Sequence, residues 1–280
     1  MDTLSERTER VDTRLGTLHV RSIGTGRMTV FWSSMFVDSH TWNPLIPLLA
    51  RGSSLPRRFV LIDPPGLGRS EPLRRRSSIA EAADAARDAL DALQVAGASE
   101  PVDWVGNAFG GHVGLDLATD AHRLRSLVAI SSPTEPISSA IRRQIRMLGP
   151  VLRVAGPVGL VKNAVVKAML TDASAADPEL RRVVTESLQR PTRASMSTAL
   201  NSFIVDRTDV THRLADLRVP SLFVASDDRG DWSPTDAQRA AALAPDARAV
   251  TISEARTLVP LEQPTALAET ILAFWAERAD

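Results

Sequence analysis

The segment Gly106–Gly111, with the sequence Gly-Asn-Ala-Phe-Gly-Gly, is the most specific motif in the chain. It follows a strand-like run, Val102–Val105, and precedes a stretch of helical composition, His112–Ala118. A sharp turn from strand to helix needs glycine on both flanks, because small residues let the two elements approach closely while the central residue is strained. The central residue here is Ala108. Its methyl group can neither attack a carbonyl nor be activated by a base, which excludes covalent chemistry through this side chain.

Two further segments extend the pattern. Asp63–Ser70 (Asp-Pro-Pro-Gly-Leu-Gly-Arg-Ser) follows an earlier strand-like run, and Pro260–Pro264 precedes the last helical stretch. Together with the turn, they resemble the α/β-hydrolase fold family, over Leu18–Trp275. The resemblance implies a mostly parallel, twisted sheet flanked by helices, with an inserted helical cap. It also implies catalytic residues in the order Ser, Asp, His, with the nucleophile at the centre of the turn, and no cofactor.

The chain departs from this pattern at two catalytic positions. Ala108 stands at the nucleophile position, and Thr257 stands at the histidine position, preceded by Arg256 where glycine is usual. Only the acid remains, as Asp228 or its neighbour Asp227. Because nucleophile and base are both missing, we interpret the loss as natural rather than as one engineered change, and we expect no acyl-enzyme.

The oxyanion hole that the resemblance implies depends on backbone groups. Its donors would be the N–H of Phe109 and an N–H of the loop after the second strand, assigned to Met35. In that loop Ser33 and Ser34 replace the His-Gly pair of the family. Neither donor depends on the side chain lost at Ala108, so we expect both to persist.

Asp228 has two interpretations. It could act as a general base, since burial raises the pKa of a carboxyl group towards neutrality. Alternatively, Arg256 pairs with Asp228 or Asp227 and closes the site, which is the usual arrangement of a buried acid and the interpretation we favour.

A second candidate acid–base pair lies in the loop that should face the turn. Asp38 and His40 are two residues apart and could reach the pocket together, or His40 could be a surface histidine. His112, in the helix after the turn, is expected to pack rather than react. His19, His122 and His212 are far apart with no ligand spacing, so no metal site is expected.

Other residues border the expected pocket. Asn107 could bind a polar group, and Trp232 could contact an apolar one, although ordinary packing explains Trp232 equally well. Ser34 and Arg256 are also placed there. We therefore expect a small, largely apolar ligand or substrate.

Alternating strand-like and helical segments position these residues, a pattern typical of a parallel sheet with crossover helices. The predicted strands are Leu18–Ile23, Met28–Trp32, Phe59–Asp63, Val102–Gly106, Ser126–Ile130, Ser221–Ala225 and Ala249–Ile252. Gly24–Gly26 predicts a hairpin between the first two. A capping box, Ser78 with Glu81, predicts a helix start, and the final helix follows Pro264.

The strand pattern stops between the fifth and sixth strands of this series. Residues 1–133 and 213–280 are assigned to the core, and residues 134–212 to a helical cap. Four helices are predicted in the cap: Ile137–Leu148, Val151–Leu170, Glu179–Gln189 and Arg193–Val205. Several of its apolar residues are expected to line a pocket or to pack the cap on the core: Met147, Leu148, Val151, Leu152, Val161, Val165, Val166, Met169 and Leu170.

Composition restricts the partners. The 280 residues contain 33 Lys and Arg and 33 Asp and Glu, so no overall positive field favours nucleic acid or an anionic membrane. The chain has no cysteine, which excludes disulfides and a thiol nucleophile. Residues 1–14 lack the pattern of a secretory signal, and no apolar run could span a bilayer. We expect a cytoplasmic monomer or weak homodimer.

Two functions remain open. The chain is either a cofactor-free enzyme of the hydrolase fold that hydrolyses, cyclises, eliminates or rearranges its substrate without an acyl-enzyme, or a pseudo-hydrolase that binds or senses a ligand. Persistence of the glycines, the oxyanion positions and the acid favours the enzyme. Glycines also serve the backbone turn itself, so they do not decide between the two.

Overall fold

The computed structural model describes residues 5–94, 100–228 and 232–278, with the exception of the Leu148 side chain. Within these residues eight strands form one sheet in the order β1-β2-β4-β3-β5-β6-β7-β8. The strands are β1 Glu6–Thr13, β2 Gly16–Ile23, β3 Arg27–Trp32, β4 Arg57–Ile62, β5 Val102–Asn107, β6 Leu124–Ile130, β7 Ser221–Ser226 and β8 Ala247–Ile252. β2 pairs antiparallel with β1 and β4, and the pairs from β4 to β8 are parallel. The predicted fold class and seven predicted strands are confirmed.

Helices cover both faces of the sheet. They are α1 Ile46–Gly52, α2 Ile79–Leu93, α3 Phe109–Leu117, α4 Ser139–Ala155, α5 Gly159–Met169, α6 Asp172–Ala176, α7 Pro178–Gln189, α8 Arg193–Leu200, α9 Pro234–Leu243, α10 Val259–Glu262 and α11 Pro264–Ala276. α2, α3 and α9 pack in one apolar layer, and α1 and α11 in the other. The capping box of Ser78 and Glu81 is confirmed at the start of α2.

The predicted hairpin at Gly24–Gly26 is wrong. β4 lies between β2 and β3, and the hairpin is formed instead by β1 and β2. Gly26 has φ +114°, and a Cβ there would lie 2.3 Å from the Pro56 carbonyl oxygen. The glycine turn therefore carries the chain across the start of β4 rather than back along β2. β1 was not predicted because its exposed residues are nearly all polar and only Val11 is buried.

The inserted helical segment, from α4 to a π-helical turn at Asn201–Val205, leaves the sheet after β6 and returns before β7. β6 and β7 nevertheless pair directly, from Leu127 and Ser221 onwards. The predicted break between its first two helices is misplaced. α4 continues through Pro150 and ends at Ala155, because Gly156, with φ +84°, and the proline after it stop the helix.

Candidate active site

The turn between β5 and α3 has the strained geometry that its sequence predicts. Ala108 has φ +47° and ψ −104°, a conformation that side chains with a Cβ rarely adopt. The glycines allow a close approach: a Cβ at Gly106 would lie 2.1 Å from the Gly110 carbonyl oxygen, and one at Gly110 would lie 2.0 Å from that of Trp32. The turn thus presents the Ala108 side chain at the carboxyl end of the sheet.

A cavity of about 440 Å³ opens above this turn. It lies at the carboxyl ends of β3, β5, β6 and β7 and is covered by α4, α5 and α8. Its apolar wall includes Met35, Phe36, Ala108, Phe109, Ile137, Ile141, Ile145, Leu152, Val161, Val165, Met169, Leu200, Phe203, Ile204 and Trp232. A volume and lining of this kind suit a small, largely apolar molecule.

The structure brings most of the predicted pocket residues to this cavity. Those that line it are Ser34, Met35, Ala108, Phe109, Trp232, Arg256 and Thr257. Among the apolar residues predicted for the cap, Leu152, Val161, Val165 and Met169 line the cavity, and Val166 and Leu170 are buried beside it. Met147 and Val151 are exposed, and the side chain of Leu148 lies outside the described residues. The cavity therefore has contributions from both the sheet and the inserted segment.

Arg256 and Asp228 form an ion pair beside the cavity. Arg256 Nε and Nη2 donate to Asp228 Oδ2 at 3.1 and 2.7 Å, and Arg256 is 3% exposed. The same guanidinium donates to the Lys167 carbonyl oxygen. The ion pair that the favoured interpretation of Asp228 expects is present, and its role in closing the site stays a prediction. Asp228 Oδ2 therefore accepts two hydrogen bonds from the Arg256 guanidinium.

Asp38 and His40 form a pair, but not at the cavity. His40 Nδ1 lies 2.8 Å from Asp38 Oδ1, and Arg190, at the end of α7, donates to Asp38 Oδ2. Burial by itself would raise the Asp38 pKa, yet the His40 hydrogen bonds and the Arg190 charge hold that pKa below its ordinary value. The prediction that this pair reaches the pocket is wrong, because the 3₁₀ turn Ser39–Trp42 directs both side chains towards α7.

Asn107 and Thr257 join two loops at the base of the cavity. Asn107 Nδ2 donates to the carbonyl oxygens of Ile130, at 3.2 Å, and Thr257, at 2.8 Å. Asn107 thus joins backbone segments of two loops and does not line the cavity, and its predicted role in binding a polar group stays a prediction. Thr257 Oγ1 donates to the Ala168 carbonyl oxygen at 3.0 Å, which joins the loop before α10 to α5.

The two predicted oxyanion donors both border the cavity. Phe109 and Met35 line it, and among the described residues neither backbone N–H donates to a protein acceptor. Backbone N–H groups without a protein acceptor are the kind of donor that an oxyanion hole uses. Within the described residues, no group of three or more His, Asp or Glu side chains could hold a metal ion.

Comparison with known proteins decides the family. A model of the alpha/beta hydrolase family matches residues 24–270. The chain belongs to the alpha/beta hydrolase family. No curated protein sequence matches it significantly. In the residues that the structure describes, no helix is long and apolar enough to cross a membrane.

Solved structures of alpha/beta hydrolases superimpose over almost the whole chain. An esterase from Thermogutta terrifontis has a TM-score of 0.81 at 20% identity, covering 97% of this chain and 98% of its own. An enol-lactonase from Burkholderia xenovorans has a TM-score of 0.81 at 18% identity, covering 96% and 100%. The epoxide hydrolase CorEH has a TM-score of 0.77 at 16% identity, covering 98% and 99%. At these identities the likeness shows the fold alone.

His112 is a cavity residue whose position sequence reasoning did not anticipate. Its Nε2 lies 2.7 Å from the Pro133 carbonyl oxygen, so that nitrogen carries the proton and Nδ1 is an acceptor. Burial, with the charge of Arg207 adding to it, lowers the His112 pKa to about 3. A helical signal was available, because His112 follows Ala108 by four residues and so lies on the same face.

Buried side-chain atoms of some cavity residues have no hydrogen-bond partner within the described part of this alpha/beta hydrolase. Among them are Ser34 Oγ, Trp232 Nε1 and His112 Nδ1. Buried polar groups are almost always paired, since leaving one unpaired costs about 1–3 kcal/mol. The hydroxyl and the indole can donate, and the imidazole nitrogen can accept.

Proposed function

We propose that this alpha/beta hydrolase is a cofactor-free enzyme that acts on a small, largely apolar molecule without forming an acyl-enzyme. The observation that carries the proposal is the pair of backbone donors at Phe109 and Met35, which border an apolar cavity beside a residue with no nucleophile. Such donors polarise a carbonyl oxygen in a site with little water, where hydrogen bonds are strong. The reaction would begin at the oxygen they hold.

The rate available to such a site is limited. A serine hydrolase stripped of its catalytic triad keeps roughly 10³–10⁴-fold acceleration over water from its oxyanion hole and substrate binding alone. The cavity adds no strong base, since His112 has a pKa of about 3 and Asp228 is paired with Arg256. We therefore expect a substrate that is already reactive, such as an activated ester or a strained lactone, or one that rearranges or eliminates when its carbonyl is polarised.

The polar atoms around the cavity support an oxygen-bearing substrate. Trp232 Nε1 and Ser34 Oγ are unpaired donors, and His112 Nδ1 is an unpaired hydrogen-bond acceptor. All three atoms are buried, so a substrate would bond to them only after side chains of the cavity wall move. The remaining wall is apolar, which matches a hydrocarbon or aromatic remainder.

A second function is favoured by the Arg256–Asp228 ion pair. In a pseudo-hydrolase that only binds a ligand, no acid needs to be available as a base, and an ion pair of this kind would be retained for structure. The two functions differ in turnover and not in binding.

The test compares the unmodified protein with Ala108→Ser and with Ala108→Ser/Thr257→His on a panel of activated acyl esters and lactones. The enzyme proposal expects slow turnover by the unmodified protein, linear in time and without a burst, because no acyl-enzyme accumulates. The double variant should add a burst with esters, because both missing groups then stand at the cavity.

The matched control is Ala273→Ser, at an exposed position of α11 that does not line the cavity. It should leave turnover unchanged. A silent unmodified protein that still binds the apolar compounds, together with an active double variant, would replace the enzyme proposal with the pseudo-hydrolase. If neither protein binds any of them, both proposals fail.

A further inference from the structure

Charge is segregated along the chain, although the net charge is zero. Residues 136–171 contain six basic residues and no acidic one, so the rest of the chain carries a net charge of −6. The six are Arg142, Arg143, Arg146, Arg153, Lys162 and Lys167. Within the described part of the chain, none of these side chains forms an ion pair, whereas the neighbouring Arg182 and Arg190 both do. The segment that covers the cavity is therefore an uncompensated positive surface.

Exposed apolar side chains are concentrated in the same segment. Among the described residues, seven large apolar side chains are exposed, and five of them lie in α4, α5 and the turn between them. These are Met147, Val151, Val154, Val158 and Leu160, with exposures of 71, 45, 75, 54 and 79%. Single exposed apolar residues are ordinary, but a group of this kind indicates an interaction site.

The helical period places several of these residues on one side of α4. Arg143, Met147, Pro150 and Val154 follow one another at intervals of four, three and four residues, which forms a single stripe. Ile141, Ile145 and Leu152 lie on the other side and line the cavity. We use the name outer face for the exposed residues of α4 and α5. The outer face therefore carries both basic and exposed apolar side chains. The opposite side of α4 forms one wall of the cavity.

The positive charge of the outer face distinguishes between two possible partners, a second copy of this chain and an anionic surface. In a symmetric dimer the outer face would meet itself, which would bring the cations of one chain against those of another. An anionic partner removes that repulsion. Interfacial helices with arginine beside exposed aliphatic residues bind anionic lipid surfaces, where the apolar side chains enter the headgroup region.

We infer that the outer face docks on an anionic lipid bilayer. The sequence expectation of no membrane partner came from the zero net charge, which conceals this segregation. The cavity then lies next to the lipid, so an apolar substrate would enter it without crossing water. This inference is independent of whether the site turns its substrate over.

Vesicle flotation tests the inference with the full chain. The unmodified protein should float with vesicles in which about a third of the lipid is phosphatidylglycerol, and not with phosphatidylcholine alone. Raising the salt to about 0.5 M should release most of it, because surface charges are then screened. No flotation with the anionic vesicles at low salt would overturn the inference.

Two variants identify the face. Val154→Glu/Leu160→Glu should weaken binding at least about tenfold, and Arg143→Gln/Arg146→Gln/Arg153→Gln should do the same. The matched controls are Leu55→Glu/Leu243→Glu, which changes the two exposed apolar residues elsewhere, and Arg7→Gln/Arg51→Gln/Arg218→Gln, which changes exposed arginines elsewhere. The controls should bind like the unmodified protein. Equal losses in variants and controls would contradict the assignment of the face.

Self-association is the competing outcome. If sedimentation shows a dimer that Val154→Glu/Leu160→Glu dissociates, and no variant or unmodified protein floats with vesicles, the outer face is a protein interface and the inference is wrong. The altered residues are exposed, so each variant should melt at the temperature of the unmodified protein.

Discussion

Ala108 retains a strained backbone conformation although its side chain has no reactive group. The turn holds it at φ +47° because Gly106 and Gly110 allow β5, α3 and β3 to approach closely. Strain of this kind costs about 1–3 kcal/mol and persists only where the surrounding structure imposes it. The packing around the turn, and not the alanine side chain, therefore imposes this conformation.

Replacing Ala108 with glycine should stabilise the protein. Glycine removes the strain, while its greater freedom in the unfolded chain offsets about 0.4–1 kcal/mol of the gain. We expect a net increase of about 1 kcal/mol in the free energy of unfolding, measured by urea titration. Ala240→Gly, inside α9, is the control and should lower that free energy by a similar amount. A loss of stability in Ala108→Gly would show that the turn carries no strain.

His112 makes stability depend on pH. Its pKa is about 3 in the folded protein because burial, then Arg207, disfavours the charged ring. Between that value and the ordinary histidine pKa, the unfolded chain binds a proton that the folded one does not, so stability falls as pH falls. The slope is about 1.4 kcal/mol per pH unit. Asp38, whose pKa is also lowered, acts in the same direction but only below about pH 4.

The measurement is urea unfolding at pH 7, 6, 5 and about 4, on the unmodified protein and on His112→Gln. The variant cannot titrate in this range, so its stability should fall less steeply with decreasing pH. Parallel curves for the two proteins would mean that His112 is not buried in its neutral form.

At the scale of elements, the loop after β3 and the end of α7 are joined by one buried charge. Asp38 is fully buried and bonded to Arg190, so truncating the arginine leaves a carboxylate with His40 as its remaining partner. We expect Arg190→Ala to lower the free energy of unfolding by about 2–3 kcal/mol. Thermal and urea unfolding both measure it.

The control is Arg182→Ala, on the exposed side of α7, whose bonds to Glu179 and Glu186 are at the surface. Exposed pairs contribute little, so its stability should not change measurably. Equal effects of the two substitutions would show that the Asp38 pair is not buried in solution.

Elements with a clear local signal were predicted, and those defined by pairing were not. The turn between β5 and α3, the capping box at Ser78 and seven strands follow from residue types within a few positions. β1 was missed because Val11 is its only buried residue, and the hairpin was misplaced because only the sheet order shows β4 between β2 and β3. Local sequence carries no information on which strands become neighbours.

The same limit applies to the site. Phe109 was placed at the cavity correctly because the motif fixes its position, whereas the Asn107 amide bonds to carbonyl oxygens of two loops instead. Asp38 and His40 were not placed correctly, since their direction depends on Arg190, which lies 152 residues beyond Asp38. The roles of Arg207 and of the inserted helices likewise depend on contacts distant in sequence.

At the scale of the whole molecule, the inserted segment shares an apolar cluster with the rest of the chain. The cluster contains Val166, Leu188 and Met196 from the segment together with Val37 and Leu258. Phe203 also stacks on Phe109, with ring centroids 4.4 Å apart, which ties the segment to the turn itself. Residues buried in one cluster lose their contacts together, so we expect one cooperative unit.

Tryptophan reports on only one part of this unit. The chain has five tryptophans, Trp32, Trp42, Trp104, Trp232 and Trp275, and none of them lies in the inserted segment. Fluorescence therefore follows the sheet and its flanking helices, while far-ultraviolet circular dichroism also follows α4 to α8. For a single unit the two urea transitions should have the same midpoint.

A substitution at the contact sharpens this test. Phe203→Ala removes the stack on Phe109 and should lower stability by about 3 kcal/mol while leaving the two midpoints equal, because the whole unit is destabilised. An earlier transition by circular dichroism than by fluorescence, in either protein, would mean that the inserted segment unfolds first. The cavity would then lose the wall formed by α4 and α5 under conditions in which the sheet is still intact.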